Sequence, residues 1–381
     1  VNKVQKKQSD HVQKIRNLLF IQGIYAFVDG ILFIVLPLLM VERKINIITM
    51  GLIFGSLPIT FQLLRFIFAI LSDQFGRKKF FMLHGLTGVI SSTIFYFAYS
   101  PLQFLAGKLA QAVKDASIWA INRPFILDHS KDKKQGLINM RIYDSVFGAS
   151  GVLIAGFLIS YLLFSNTLLF SILIGMLVIP ISLFIKDERI SPGSFKKVIS
   201  SLNVLKREPV FKKFIMFWFI MGLSDGLATA YIFPLFLSQN SFSPEFIGIL
   251  LGVQSLIAAL SIFLFRKLTI KKAMILGLSY AVLLFILPNF SGAILSIIIL
   301  FMGISQGFNA SAGEGILSKI ASSKSYGTDI GLLFLGYHLA RTINLSLSGF
   351  IISSYGFFTL FFLSATLFVV GALYGIRNIK E

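Results

Sequence analysis

The sequence predicts an all-α membrane protein: 12 transmembrane helices in two pseudo-symmetric six-helix bundles. Composition, the placement of basic residues and an internal repeat lead to this reading. Hydrophobic residues make up 56% of the 381-residue chain and charged residues 13%, with a mean hydropathy of +0.83. A water-soluble fold has no interior large enough to hide that much apolar surface, so lipid must cover part of it.

Apolar stretches place helices at 15–40, 48–71, 80–99, 102–126, 139–163, 166–186, 212–237, 244–265, 273–289, 291–316, 329–352 and 355–376. Most exceed the roughly 20 residues needed to cross a bilayer. The first is read as a spanning helix. Its apolar run outlasts the ~7–15 residues of a signal-peptide core, and no small-residue cleavage site ends it.

The formal net charge of +19 reports topology. Lys and Arg gather in alternate connections: the N-terminal tail, Arg77 to Lys79, Lys131 to Lys134, Lys186 to Lys213, Arg266 to Lys272, Lys319 to Lys324, and Arg377 to Lys380. The other connections hold only Arg43 and Lys44. By the positive-inside rule the basic side, with both termini, faces the cytoplasm. The expected location is therefore the cell membrane, with the bilayer and not a nucleic acid as the partner of the charge.

Several chemistries are excluded. With no cysteine there is no disulfide, thiolate metal site or cysteine nucleophile. No Gly-x4-Gly-Lys-Ser/Thr loop is present to bind nucleotide phosphates. The four histidines are scattered, and no Ser/His/Asp grouping stands out. We expect no enzyme activity, cofactor or metal.

The longest polar interruption, Lys186 to Lys213, contains Pro192-Gly193 and divides the chain into 1–186, a cytoplasmic linker 187–211, and 212–381. The two halves repeat each other. Asp29-Gly30-Ile31, Pro37-Leu38 and the Gly51–Gly55 pair are matched by Asp225-Gly226-Leu227, Pro234-Leu235 and the Gly248–Gly252 pair. Proline to first glycine is 14 residues in both, and aspartate to proline is 8 in one and 9 in the other. A parallel repeat of this kind places a solute site between the halves.

The connection after the second helix reads Leu71-Ser72-Asp73-Gln74-Phe75-Gly76-Arg77-Lys78-Lys79. It resembles the G-x-L-x-D-R-x-G-R-R/K signature of the major facilitator superfamily of secondary transporters. Leu71, Asp73, Gly76, Arg77 and Lys78 match, while Ala69 and Gln74 depart from it. The resemblance implies that Asp73, Gly76, Arg77 and Lys78 form a cytoplasmic gate latching the two bundles. Lys108 to Ala112 is similar to the family's R-x-x-Q-G. Gly151 to Gly156 lacks the proline of the G-P-x-x-G-G pattern of drug–proton antiporters.

Ionisable residues at membrane depth are costly unless paired or hydrated, so each is a candidate for function. The bases are Arg65, Lys108, Lys114, Arg123, Arg141 and Arg341, and the acids Asp29, Asp115, Asp144, Asp225 and Glu314. Their near balance points to internal pairing. Gln22, Tyr25 and Asp29 share one helix face, and Lys108, Gln111, Asp115 and Asn122 another. Gln306 and Asn309 lie one turn apart, as do His338 and Arg341. The resemblance implies that helices 1, 4, 7 and 10 line the cavity. The expected substrate wall is then Gln22, Tyr25, Lys108, Gln111, Lys114, Asp115, Asn122, Gln306 and Asn309. Lys108 is placed near the outer end, where it can snorkel. Arg141, Asp144 and Glu314 are placed near cytoplasmic ends, as gate pairs.

Asp29 and Asp225 occupy equivalent places in the repeat. Each is either a coupling-proton site or half of a structural ion pair, as Asp29 would be with Arg65 or Lys114. Three functions stay open. One is a monomeric, proton-coupled importer of a small polar or anionic metabolite. The second is a drug/proton efflux antiporter. The third is a transporter-like sensor that carries nothing.

Overall fold

A computed structural model of the chain describes residues 2–130, 132–185, 209–320 and 326–378. The predicted linker 187–211 therefore falls almost wholly outside the described residues. The described chain is helical, with no strand among its elements. In order these are α1 (Asn2–Glu42), α2 (Ile47–Phe75), α3 (Arg77–Tyr96), α4 (Pro101–Trp119), α5 (Asn122–His129), α6 (Lys133–Met176) and α7 (Val178–Leu183). Then follow α8 (Pro209–Asp225), α9 (Ile232–Gln239), α10 (Pro244–Phe265), α11 (Ile270–Gly277), α12 (Ser279–Ile286), a 3-10 turn (Leu287–Asn289), α13 (Gly292–Ile320) and α14 (Tyr326–Asn378).

Local chemistry sets the boundaries. Asn46, Asp132, Ser243 and Thr269 each cap a helix by accepting a backbone N–H from its first turn. Pro101 and Pro244 sit just inside their helices, where the missing N–H costs nothing. Seven stretches of the described residues are long and apolar enough to cross a membrane. Two of them, 133–183 and 329–378, have 51 and 50 residues. At ~1.5 Å per residue a straight helix of that length is far longer than a bilayer core of ~30 Å. Each turns back instead, at Leu163 (φ 64°) and at Gly356 (φ 76°). Glycine accepts that conformation freely, whereas Leu163 holds it at a cost of about 1–3 kcal/mol.

Four predicted helices are broken; the 166–186 segment divides at Leu177, between α6 and α7. The 102–126 segment stops at Trp119 and restarts at Asn122. Pro124 lacks an N–H and its ring would clash with the carbonyl four residues back, at Ala120. The 212–237 segment opens between Asp225 and Ile232, where Ala230 has φ 56° and the Thr229 hydroxyl donates to the Asp225 backbone carbonyl. The 273–289 segment starts earlier, at Ile270, and is divided at Leu278.

Glycines bring the helices into backbone contact. Gly30 of α1 lies on the Gly148 carbonyl of α6, and Gly222 of α8 lies on the Tyr337 carbonyl of α14. Contacts between the two halves of the chain use the repeated glycines. Gly51 and Gly55 of α2 pack on Ser346 and Gly349 of α14, while Gly248 and Gly252 of α10 pack on Gly156 and Leu153 of α6. Small residues allow this because lipid supplies little hydrophobic force between helices, so close packing must hold them together. The outward faces carry large apolar side chains such as Leu102, Tyr161 and Leu373, as a lipid-facing surface requires.

A methyl group at Gly151 would meet the Phe27 carbonyl, whereas Gly175 has nothing within 4 Å. Gly151→Ala should therefore destabilise the folded protein by about 1–3 kcal/mol. Gly175→Ala should leave the thermal unfolding midpoint in detergent nearly unchanged, and equal effects would refute this packing.

Candidate functional site: a charged cavity between the two halves

The helices enclose a cavity of about 560 Å³, within the range of small-molecule sites. Its walls come from α1, α2, α4, α5 and α6 of the first half and from α8, α13 and α14 of the second. Charged groups reach it from both sides: Asp29, Arg65, Lys108, Asp115, Arg123 and Arg141, then Asp225, Glu314 and Arg341.

On the first-half wall a single lysine organises two carboxylates. Lys114 Nζ lies 3.2 Å from Asp29 Oδ1 and 3.1 Å from Asp115 Oδ1. Lys108 Nζ donates to Gln111 Oε1 at 2.9 Å, and Gln111 Nε2 donates to Asp29 at 3.0 Å. Asp29 keeps 39% of its side chain accessible, so its carboxylate opens to the cavity while Lys114 sits behind it. Below them, Trp119 Nε1 donates to the Tyr25 hydroxyl at 3.0 Å.

On the second-half wall Asp225 is held from α14. Arg341 Nε lies 2.9 Å from Asp225 Oδ2, and the Tyr337 hydroxyl donates to the same oxygen at 2.7 Å. Thr229, in the opened segment after α8, takes a hydrogen bond from Arg341 at 3.1 Å.

Arg123 of α5 and Glu314 of α13 close the seam between the halves with a buried ion pair of 2.6 Å. Two backbone carbonyls reinforce it: Gln62 donates to Gly331 at 2.8 Å and Lys134 to Leu268 at 3.1 Å. Arg65, His338, Phe61 and Phe334 lie at the same end of the cavity.

Comparison with known proteins agrees with this architecture. The nucleoside transporter NupG has the same fold, in a point-mutant form (TM-score 0.76, 15% identity, covering 96% of this chain and 100% of that one) and in a second structure (TM-score 0.73, 15% identity, 96% and 99%). So does the human organic anion transporter MFSD10 (TM-score 0.71, 15% identity, 96% and 99%). No curated protein sequence matches significantly. The Major Facilitator Superfamily profile matches residues 18–287.

This chain belongs to the major facilitator superfamily. That membership places it among transporters and not among enzymes. Within the superfamily cavity, the residues singled out from sequence fall into two groups. Tyr25, Asp29, Lys108, Gln111, Asp115, Asn309 and Asp225 line it, as do Arg65, Arg123, Arg141, Glu314, His338 and Arg341. Lys114, Gln22, Asn122, Asp144 and Gln306 stand behind the wall. Asn122 donates to Gln22, Gln22 to Asp144, and Arg141 pairs with Asp144 at 2.8 Å, tying α5, α1 and α6 together. Gln306 is hydrogen-bonded to Tyr280.

One placement differs from expectation. Lys108 does not snorkel outward: it is buried, 4.2 Å from the Phe54 ring centre, because the cavity supplies the polar surroundings its ammonium needs. The described gate-loop contacts stay within the first half. Gly76, at φ 89°, turns the chain from α2 into α3; Arg77 pairs with Asp128 at 3.2 Å, and Lys78 donates to the Leu183 carbonyl. The side chain of Asp73 lies outside the described residues. Among the described residues Arg123–Glu314 is an ion pair that joins the halves. Sequence reasoning missed the aromatic walls Phe61, Trp218, Phe334 and Tyr337, since aromatic residues abound in every apolar helix here.

Removing Glu314 would leave Arg123 buried and uncompensated. Glu314→Ala should cost about 3–5 kcal/mol, and the double replacement Arg123→Leu/Glu314→Leu should cost less than the sum of the single changes. Additive losses in unfolding midpoint would show that the pair carries no coupling.

Proposed function

We propose that the chain is a secondary active transporter in which two six-helix bundles, 1–186 and 212–381, rock about the cavity to move a small solute. We take it to work as a monomer in the cytoplasmic membrane with both termini inside, importing a polar or anionic metabolite with protons. One observation carries the reading: a cavity of about 560 Å³ walled by charged side chains from both halves of the chain. A wall of this kind suits a cargo with its own polar groups. The cargoes in the names of two similar structures, a nucleoside and an organic anion, fit that class.

Asp29 is the coupling site we favour over Asp225. Lys114 faces two carboxylates, so protonating Asp29 still leaves the ammonium paired with Asp115. Arg341 has one carboxylate partner among the described residues, and protonating Asp225 would strand it. Protonating Asp29 leaves Lys114 with Asp115 and Lys108 with the Gln111 carbonyl, whereas Arg341 would keep, among the described residues, only the Thr229 hydroxyl, so the cycle is cheaper at Asp29.

The aromatic lining, with Phe54, Phe61, Trp119, Trp218 and Phe334, favours a second reading as a drug/proton antiporter. That reading expects lipophilic cations to be bound and expelled.

The test is flux in proteoliposomes with an imposed pH gradient, screened over small acids, sugars, amino acids, nucleosides and lipophilic cations. Uptake of an anionic or polar solute down the proton gradient is expected. Asp29→Asn should abolish its accumulation against a gradient while leaving counterflow exchange. Undiminished accumulation in Asp29→Asn removes Asp29 from coupling. An absence of flux for every solute from well-folded protein would leave the non-transporting sensor.

A further inference from the structure

The charges of the cavity balance except at one residue. Lys108 and Lys114 share a network with Asp29 and Asp115; Arg123 takes Glu314, Arg141 takes Asp144, and Arg341 takes Asp225. Arg65 is left over. Its side chain lines the cavity and the residue is only 3% exposed, yet among the described residues no carboxylate or hydrogen-bond acceptor meets its guanidinium. Its neighbours are ring faces: the guanidinium carbon lies 5.9 Å from the Phe61 centre and 5.7 Å from the Phe334 centre.

Among the described residues the nearest anion is Glu314, which attracts Arg65 through space but is ion-paired with Arg123, so this end of the cavity keeps an excess positive charge. Arg123 lies 5.4 Å from the same Phe334 ring, which adds positive charge to this end of the cavity, and its one carboxylate is already paired. His338 lies 4.9 Å from Phe61, and its buried Nδ1 has no hydrogen-bond partner. Arginine does not lose its proton in a protein, so burial cannot be relieved by neutralisation. Contact with aromatic faces offsets only part of the cost of burying the charge. Among the described residues nothing offsets the remainder, which an anion entering the cavity would do. The planar guanidinium offers a fork that matches a carboxylate or phosphate through paired hydrogen bonds.

We propose that Arg65 is the docking point for the anionic group, a carboxylate or a phosphate, of the transported solute, held between the Phe61 and Phe334 rings. The word "transported" rests on the function proposed above; the anion site itself does not. Lys108 is a weaker candidate because Gln111 already accepts from it and the Asp29–Asp115 pair balances its charge. Phe61 belongs to α2 and Phe334 to α14, so a bound anion would sit at the seam between the halves.

The chain's only two tryptophans, Trp119 and Trp218, both line this cavity. Arg123 lies 4.6 Å from the Trp119 ring centre, and Trp218 lies 4.9 Å from Phe334. Their fluorescence therefore reads the charge near Arg65 without any known substrate. Iodide should quench them several-fold more than caesium in the wild type. Arg65→Gln should lose that preference and Arg65→Lys should keep it, with neutral acrylamide quenching all three alike. Inorganic phosphate or succinate should raise the unfolding temperature of the wild type and Arg65→Lys. The apparent affinity should weaken at least about tenfold in Arg65→Gln, as the loss of charge-assisted hydrogen bonds entails. If Arg65→Gln fails to fold, Arg65→Met, which keeps the apolar stem, serves in its place.

An iodide preference that survives charge removal overturns the proposal. So does no response to either anion in the wild type, or loss of anion binding in Lys108→Met but not in Arg65→Gln. Anion binding at Arg65 without flux in proteoliposomes would count against transport alone. Flux that is indifferent to Arg65→Gln would count against this site alone.

Discussion

A charge taken from water into an apolar slab must meet a counter-charge, and the interior of this protein is arranged around that demand. The cavity wall collects acids and bases that would be prohibitive on a lipid-facing surface, and nearly all of them are paired. The pairing differs from place to place. Lys114 bridges two carboxylates, Arg341 is held by one carboxylate, and Arg123 spends its charge across the seam on Glu314. A proton or an anion arriving in the cavity would therefore meet sites of unequal cost.

The two halves of the chain meet through two kinds of contact. Towards the Ile47 end of α2 they touch through bare backbone, with Gly51, Gly55, Gly156 and Gly248 letting the helices approach closely. Towards the Phe75 end they are joined by polar side chains: the Arg123–Glu314 pair and the bonds from Gln62 and Lys134 to backbone carbonyls. Close glycine contacts are dispersive and short-ranged, so they are lost at once when helices separate. A side-chain ion pair can be exchanged for a bond to an incoming ligand or to water. A seam with one tight face and one exchangeable face suits a protein that must open on alternate sides, which is the motion assigned to such repeats.

Much of this was legible in the chain itself. Apolar length and the alternation of basic connections fix a polytopic helical membrane protein, because lipid tolerates only satisfied backbone and penalises charge. The repeated Asp-Gly, Pro-Leu and glycine-pair pattern marked the glycines that later proved to pack one half against the other. The signature after α2 pointed to the family, and the balance of buried acids and bases anticipated internal pairing. Those features are local in sequence, or are sums over it, and they survive without knowledge of the fold.

The partners were decided only by tertiary structure. Helical spacing put Lys108, Gln111, Asp115 and Asn122 on one stripe, but the break at Ala120–Ile121 turned Asn122 towards Gln22 and away from the cavity. Sequence could not choose between Arg65 and Lys114 for Asp29; the long side chains reaching from α4 across to α1 gave it Lys114. Nor could it see that Arg65, alike in type to Arg123 and Arg341, would end beside two phenylalanines with no ion pair among the described residues. Composition counts charges, whereas pairing depends on distances of a few ångströms between helices far apart in the chain. That is why the class of the protein could be read from its residues and the pairing of its buried charges could not.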